Sequence, residues 1–150
     1  MATVKDAAKF AARSHGNQRY GSHAYTYHLD KVYRNVLKYG GSDVEQQAAW
    51  LHDVIEDTSV TKGEVAKLFG GTVAKIVDLV SNRASKEATF KRVRTDRSAV
   101  FVKLCDRLAN VTAGSKNDMY RKRHPEFKGI LYKKGEFEAL WKAIDKALGV

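Results

Sequence analysis

Cysteine occurs once, at Cys105, so no disulfide can close within the chain, and a lone thiol fits a reducing compartment such as the cytoplasm. Proline also occurs once, at Pro125, which leaves most of the chain free of the strongest helix breaker. No apolar run approaches the roughly 20 residues that span a bilayer, and the first six residues carry no apolar signal-peptide core. Neither a membrane protein nor an exported one is expected. Internal repeats, low-complexity tracts and linkers are missing too, so one domain over 1–150 is expected. Lysine and arginine vanish between Lys38 and Lys62. Within that gap fall Asp43, Glu45, Asp53, Glu56 and Asp57.

Elsewhere basic residues dominate. The chain has 27 Lys+Arg against 17 Asp+Glu, a formal charge of +10 and a pI near 9.7, which implies a polyanionic partner. Nucleic acid, a phosphorylated small molecule and a membrane surface all satisfy that criterion. The surplus gathers at Arg83, Lys86, Lys91, Arg92, Arg94 and Arg97, and again from Arg121 to Lys134. A basic protein with one carboxylate-rich segment suggests a cation site beside an anion-attracting surface.

Helical signals recur and strand signals are scarce. Thr3-x-x-Asp6, Ser42-x-x-Glu45, Thr61-x-x-Glu64 and Ser115-x-x-Asp118 read as capping boxes, and Gly40-Gly41 and Gly70-Gly71 as helix ends. Helices are predicted at 3–15, 27–39, 43–57, 62–69, 72–82, 87–95, 98–113, 116–123 and 136–148, with Pro125 in a basic connection before the last. In that last helix Phe137, Leu140, Trp141, Ile144 and Leu148 form one apolar stripe. The expected fold is a compact all-α domain.

The segment 42–58 carries the most chemistry. On one continuous helix, His52, Glu56, Asp53 and Asp57 fall at about 0°, 40°, 100° and 140°, sharing a face opposite Leu51 and Val54. Such a face is either solvated or part of a metal or proton-handling site. Further ligands would come from His28 and Asp106. Asp106 sits in Lys103-Leu104-Cys105-Asp106-Arg107-Leu108, where burial without a partner is costly; a metal, Lys103 or Arg107 would each relieve it. Two His and two Asp suit Mn²⁺ or a similar divalent ion.

The order His28 … His52-Asp53 … Asp106 resembles the H…HD…D pattern of the HD phosphohydrolase superfamily. His52-Asp53-Val54-Ile55-Glu56-Asp57-Thr58 is similar to the HD-x-x-ED-T motif of the (p)ppGpp hydrolase domain in RelA/SpoT-type proteins. Lys103 to Asn110 is similar to its K-L-A-D-R-L-x-N segment, and the likeness runs from about Ala7 to Val111. At this length the chain resembles a small stand-alone alarmone hydrolase, with a helical segment at 116–148 beyond the likeness.

The resemblance implies an HD-domain helical bundle with Mn²⁺ held by His28, His52, Asp53 and Asp106. It implies hydrolysis of the 3′-diphosphate of (p)ppGpp to GDP or GTP and pyrophosphate, with Glu56 and Asp57 activating the attacking water. Arg19 matches a guanine-stacking position, Tyr25 a nucleoside contact and Asn110 a substrate contact. Tyr20 stands where the family often has a basic residue, and Ala24 and Leu29 replace prolines. Lys91, Arg92, Arg94 and Arg97 are candidates to supply positive charge to the 5′-diphosphate.

Two alternatives compete. One is an HD phosphohydrolase acting on an adenine alarmone, a dNTP or NADPH. The other is a DNA-binding protein with a helix-turn-helix over 61–80. Its recognition helix would carry Lys75 alone among Val73, Ile76, Val77 and Val80, the composition of a buried helix, so a small nucleotide rather than nucleic acid is the expected partner. Oligomeric state leaves no mark on the sequence.

Overall fold

The computed structural model describes residues 2–150. Helix α1 (Val4–His15) leads into a hairpin of β1 (Arg19–Tyr20) and β2 (His23–Ala24), then α2 (Tyr25–Lys38), α3 (Asp43–Leu51) and the single turn α4 (Val54–Asp57). Helices α5 (Lys62–Phe69), α6 (Gly71–Val80), α7 (Lys86–Val93), α8 (Arg97–Ala113), α9 (Asn117–Leu131) and α10 (Glu138–Leu148) complete an all-α bundle. No helix among the described residues is long and apolar enough to cross a membrane.

Helix α8 is the axis, packed against α2, α3, α6 and α10. Its Val100, Leu104, Leu108 and Val111 are buried as the stripe predicts, joined by Phe101, Cys105 and Ala109. From α10, Leu140, Trp141, Ile144 and Leu148 close over it. Each such side chain contributes about 1.5–3 kcal/mol by leaving water. Phe137 precedes α10 as its N-cap in the left-handed region (φ 54°), its ring stacked 5.5 Å from Phe101. Gly41 lets the turn after α2 fold back so that its amide donates to the Val36 carbonyl at 2.8 Å.

Local chemistry explains the boundaries. The boxes at Thr3/Asp6, Ser42/Glu45 and Thr61/Glu64 form, each hydroxyl and carboxylate exchanging bonds with the other's backbone amide. The box expected at Ser115/Asp118 does not. Gly114 ends α8 in the left-handed region, and Asn117 Nδ2 donates to the Val111 carbonyl at 3.0 Å, while Asp118 pairs with Arg121 at 2.6 Å.

Three further expectations are corrected. The helix at 43–57 is interrupted at His52-Asp53, where Asp53 takes φ −102° and ψ 0° and the His52 ring bonds the Ala49 carbonyl. The helix expected at 116–123 continues to Leu131 through Pro125, because His124, Phe127 and Leu131 bury their side chains and offset the missing amide. Ahead of α2 a hairpin forms about Gly21 (φ 60°) and Ser22, with Arg19 opposite Ala24.

Candidate metal centre and active-site cavity

The break between α3 and α4 has a purpose that a continuous helix would not serve. It lets both neighbours, His52 and Asp53, face His28 from α2 and Asp106 from α8. His28 Nε2 lies 2.9 Å from Asp106 Oδ1; His52 Nε2 lies 3.0 Å from Asp53 Oδ2 and 3.3 Å from Asp106 Oδ1. Ligand atoms of His28, His52 and Asp53 all lie within 4.8 Å of one another. The four residues that the sequence nominates as metal ligands converge.

The donor set fits a divalent cation. A carbonyl can only accept, so the 2.8 Å contact with the Ala49 oxygen puts the His52 proton on Nδ1 and leaves the Nε2 lone pair facing the carboxylates. That Nε2 is buried and forms no well-directed hydrogen bond. Nitrogen and oxygen lone pairs aimed at one another in a buried space require a shared cation or a proton. With a proton alone, burial opposes the imidazolium of His52, but Asp53 and Asp106 outweigh it and hold its pKa well above the ordinary value. Burial likewise works against the Asp106 and Asp53 carboxylates, yet the charge on His52 outweighs it and keeps both low.

Tyr25 supports this centre. Its hydroxyl donates to Asp53 Oδ2 at 2.5 Å, and burial followed by the Asp53 charge raises its pKa strongly. A cavity of about 670 Å³ opens above the cluster, lined by Tyr25, His28, Asp53 and Asp106, and also by Arg19, Glu56 and Asn110. Arg19 is anchored by a bond from its guanidinium to the Ser22 carbonyl, across the hairpin turn. Asn110 Nδ2 donates to Asp106 Oδ1 at 3.3 Å. Asp57 is not among the cavity-lining residues. It is exposed, partial desolvation of its carboxyl raises its pKa, and its Oδ2 accepts a 3.0 Å bond from Gln18 Nε2. Gln18 is fixed in turn by His15 at 2.8 Å.

The model of the family described as the HD domain matches residues 7–125. The chain belongs to the HD-domain family. Within it, the chain is 35% identical over 122 residues to guanosine-3′,5′-bis(diphosphate) 3′-pyrophosphohydrolase MESH1 of Danio rerio, covering 73% of this chain and 68% of that protein. A Vibrio cholerae protein with the same enzyme name is 37% identical over 110 residues, which is 64% of this chain but 16% of the longer relative. Among solved structures, that of a metazoan ortholog of SpoT reported to hydrolyse ppGpp matches with a TM-score of 0.84 at 22% identity, covering 99% of this chain and 95% of that one. These relatives place the chain with the RelA/SpoT type that its motifs resemble.

The cavity of this HD domain is also lined by basic residues, Lys86, Lys103, Arg107 and Arg123, and Lys103 Nζ lies 3.7 Å from Asp106 Oδ2. Burial, then repulsion from Lys103 and Arg123, lowers the Lys86 pKa. Arg107 is 5% exposed, its guanidinium 3.8 Å over the Phe127 ring and 4.7 Å over Tyr120, with Nη1 lacking a hydrogen-bond partner among the described residues. Burial lowers its pKa to about 10, so it stays charged at neutral pH. The four basic residues expected to serve the substrate do not line this space. Lys91 pairs with Glu87 at 2.6 Å, Arg92 with Asp78 at 3.2 Å and Arg97 with Glu136 at 4.0 Å, and Arg94 is likewise outside.

Four residues of the site, Lys103, Arg107, Tyr20 and Asn82, are not among those that the sequence nominates. Lys103, Asp106, Arg107 and Asn110 follow i, i+3, i+4, i+7 spacing on α8, a pattern that placed the basic pair beside the named ligands. Tyr20 was visible only as a departure from the family pattern; its hydroxyl donates to Asn110 Oδ1 at 2.8 Å. Asn82 carries no motif at all.

Proposed function

We propose that this HD domain is a Mn²⁺-dependent hydrolase that removes the 3′-diphosphate of guanosine 3′,5′-bis(diphosphate) and its pentaphosphate form, yielding GDP or GTP and pyrophosphate. The observation that carries the reading is a single cavity lined by His28, Asp53 and Asp106 of the metal-ligand set, by Glu56, and by the basic residues Lys86, Lys103, Arg107 and Arg123. A nucleotide with two separate diphosphates has anionic groups both for a bound cation and for these basic side chains. The named activity of the similar proteins from Danio rerio and Vibrio cholerae supports the same substrate.

His28, His52, Asp53 and Asp106 would hold the cation. When bound there, a divalent cation neutralises phosphoryl charge and lowers the pKa of water. Water adds to the phosphorus attached to the ribose 3′ oxygen, the bond to that oxygen breaks, and the oxygen takes a proton from solvent to leave as a hydroxyl while pyrophosphate is released. Glu56 accepts the proton that the water gives up, its carboxylate facing the cavity. Asp57, held by Gln18, acts on the same step as the second carboxylate of the pair. Arg19 stacks on the base, Tyr25 steadies Asp53 beneath the nucleoside, and Asn110 bonds the ribose end of the substrate. Lys86, Lys103 and Arg123 take the 5′-diphosphate. The reaction belongs in the reducing cytoplasm, where Cys105 stays a buried free thiol.

The test is incubation of purified protein and Mn²⁺ with ppGpp, pppGpp, pppApp, dNTPs and NADPH, followed by separation of products. Pyrophosphate release from ppGpp and pppGpp is expected. No release from any 3′-diphosphorylated nucleotide overturns the assignment, and preferential turnover of the adenine compound, a dNTP or NADPH moves it to that substrate.

A further inference from the structure

The Glu56 carboxylate sits on α4, a helix of one turn with little to hold a side chain in place. Both of its oxygens are nevertheless bound, and both by one residue. The Asn82 backbone amide donates to Oε1 at 2.8 Å and Asn82 Nδ2 donates to Oε2 at 2.8 Å. The carboxylate is gripped as a fork, from a different part of the chain.

The loop that presents Asn82 is itself anchored. Ser81 caps α6 with extended backbone (ψ 134°), which turns the next amide away from the helix and toward α4. The buried Ser81 hydroxyl donates to the Val77 carbonyl at 2.9 Å. On the other side the Arg83 amide donates to Thr89 Oγ1 at 2.8 Å, and Thr89 is fully buried in α7. Asn82 Oδ1 accepts from Lys86 Nζ at 3.3 Å, so its amide is oriented at both ends. Flipping it would set Oδ1 against a carboxylate and the amino group against an ammonium, losing two favourable contacts.

We infer that Asn82 is a positioning residue for the reaction, holding the Glu56 carboxylate in the orientation in which it meets water. The inference rests on the proton-accepting role proposed for Glu56. Without the fork, a glutamate on an exposed turn samples several rotamers, and the time spent in the orientation held here falls. Through Lys86, the same amide links the proton acceptor to the basic residues proposed to bind the 5′-diphosphate. Occupancy of those residues thereby bears on the geometry of Glu56.

The test is a double-mutant cycle with Asn82→Ala and Glu56→Gln, measuring kcat, KM for ppGpp and bound Mn²⁺. Asn82→Ala keeps its backbone amide and loses the side-chain donor. It is expected to lower kcat by about 10- to 100-fold, with KM within about 3-fold and metal content unchanged. In the Glu56→Gln background the same change should cost little more, because its effect passes through Glu56. Asn82→Asp, which opposes two carboxylates, should lose more than Asn82→Ala and move the acidic limb of the kcat profile to higher pH. Equal loss from Asn82→Ala in both backgrounds, or unchanged kcat in an otherwise active protein, overturns the positioning role. Full turnover by Glu56→Gln overturns the proton-accepting role itself and takes the inference with it.

Discussion

Tyr20 lies flat against His28, with ring centroids 4.7 Å apart and planes 11° from parallel. The same side chain reaches Asn110 through its hydroxyl, so it joins the hairpin to a metal-ligand candidate and to α8. Tyr20→Phe keeps the stack and loses the bond. It should leave metal content unchanged and raise KM for ppGpp by about 3- to 10-fold, the worth of one buried hydrogen bond. Tyr20→Ala removes the ring as well, and Mn²⁺ affinity should fall by about 10-fold in a metal titration. Wild-type values for both variants would show that the stack has no functional role.

Protons and metal compete for the cluster, and the sign of that competition is set by His52. In chelator-treated protein its raised pKa stabilises the fold fully below the unfolded value of 6.5, and that contribution is lost as pH rises through the folded value. Asp53 and Asp106, with lowered pKa values, act the opposite way and lose their contribution as pH falls through their folded values. The Tm of metal-free protein should therefore fall on the alkaline side, and the increment from Mn²⁺ should grow with pH as the imidazole proton is displaced. Thermal melts with EDTA or Mn²⁺ across a pH series check this. Asp106→Ala should abolish the increment and the activity together.

Charge on the basic residues that line the cavity should register in KM. Lys86→Met and Arg123→Met are each expected to raise KM for ppGpp by about 10-fold, the effect of losing one charge-assisted contact. Lys91→Met and Arg94→Met, outside the cavity, should change it by less than about 2-fold. Steady-state kinetics on the four variants decides between the two basic groups.

Gly41 tests the packing. A Cβ there would press on Val36 Cγ1, would lie 2.8 Å from Phe101 Cε2 and would sit 3.0 Å from the Val36 carbonyl oxygen. Gly41→Ala should cost about 1–3 kcal/mol in urea unfolding while leaving the metal site intact, since the strain falls at the α2–α8 contact. Unchanged stability would mean that the turn relaxes freely.

Much of this arrangement was legible before the fold was known. Capping boxes and apolar stripes are local codes, and they located α1, α5, α8 and α10, and the start of α3, to within a few residues. The four metal-ligand candidates were legible because His28, His52-Asp53 and Asp106 stand in the order of the H…HD…D pattern that the chain resembles. The break at His52-Asp53 was not, because it comes from the His52 ring bonding a carbonyl three residues back. The continuation of α9 through Pro125 was hidden for a related reason: burial of Phe127 overrides a local preference. Asn82 and Lys86 gained meaning only when α6 and α7 brought their connecting loop beside α4, a long-range contact that no spacing encodes.

The burial of Arg107 has a consequence for how the cavity draws in its ligand. Surface lysines are surrounded by counterions, and their pull fades beyond a Debye length of about 8 Å at physiological ionic strength. Arg107, enclosed by Phe127 and Tyr120 and 5% exposed, keeps its charge where mobile ions scarcely penetrate. Its field at the cavity wall therefore persists as salt rises. Adding salt should slow capture of a nucleotide, which depends on the exposed charges, far more than it loosens the nucleotide once bound.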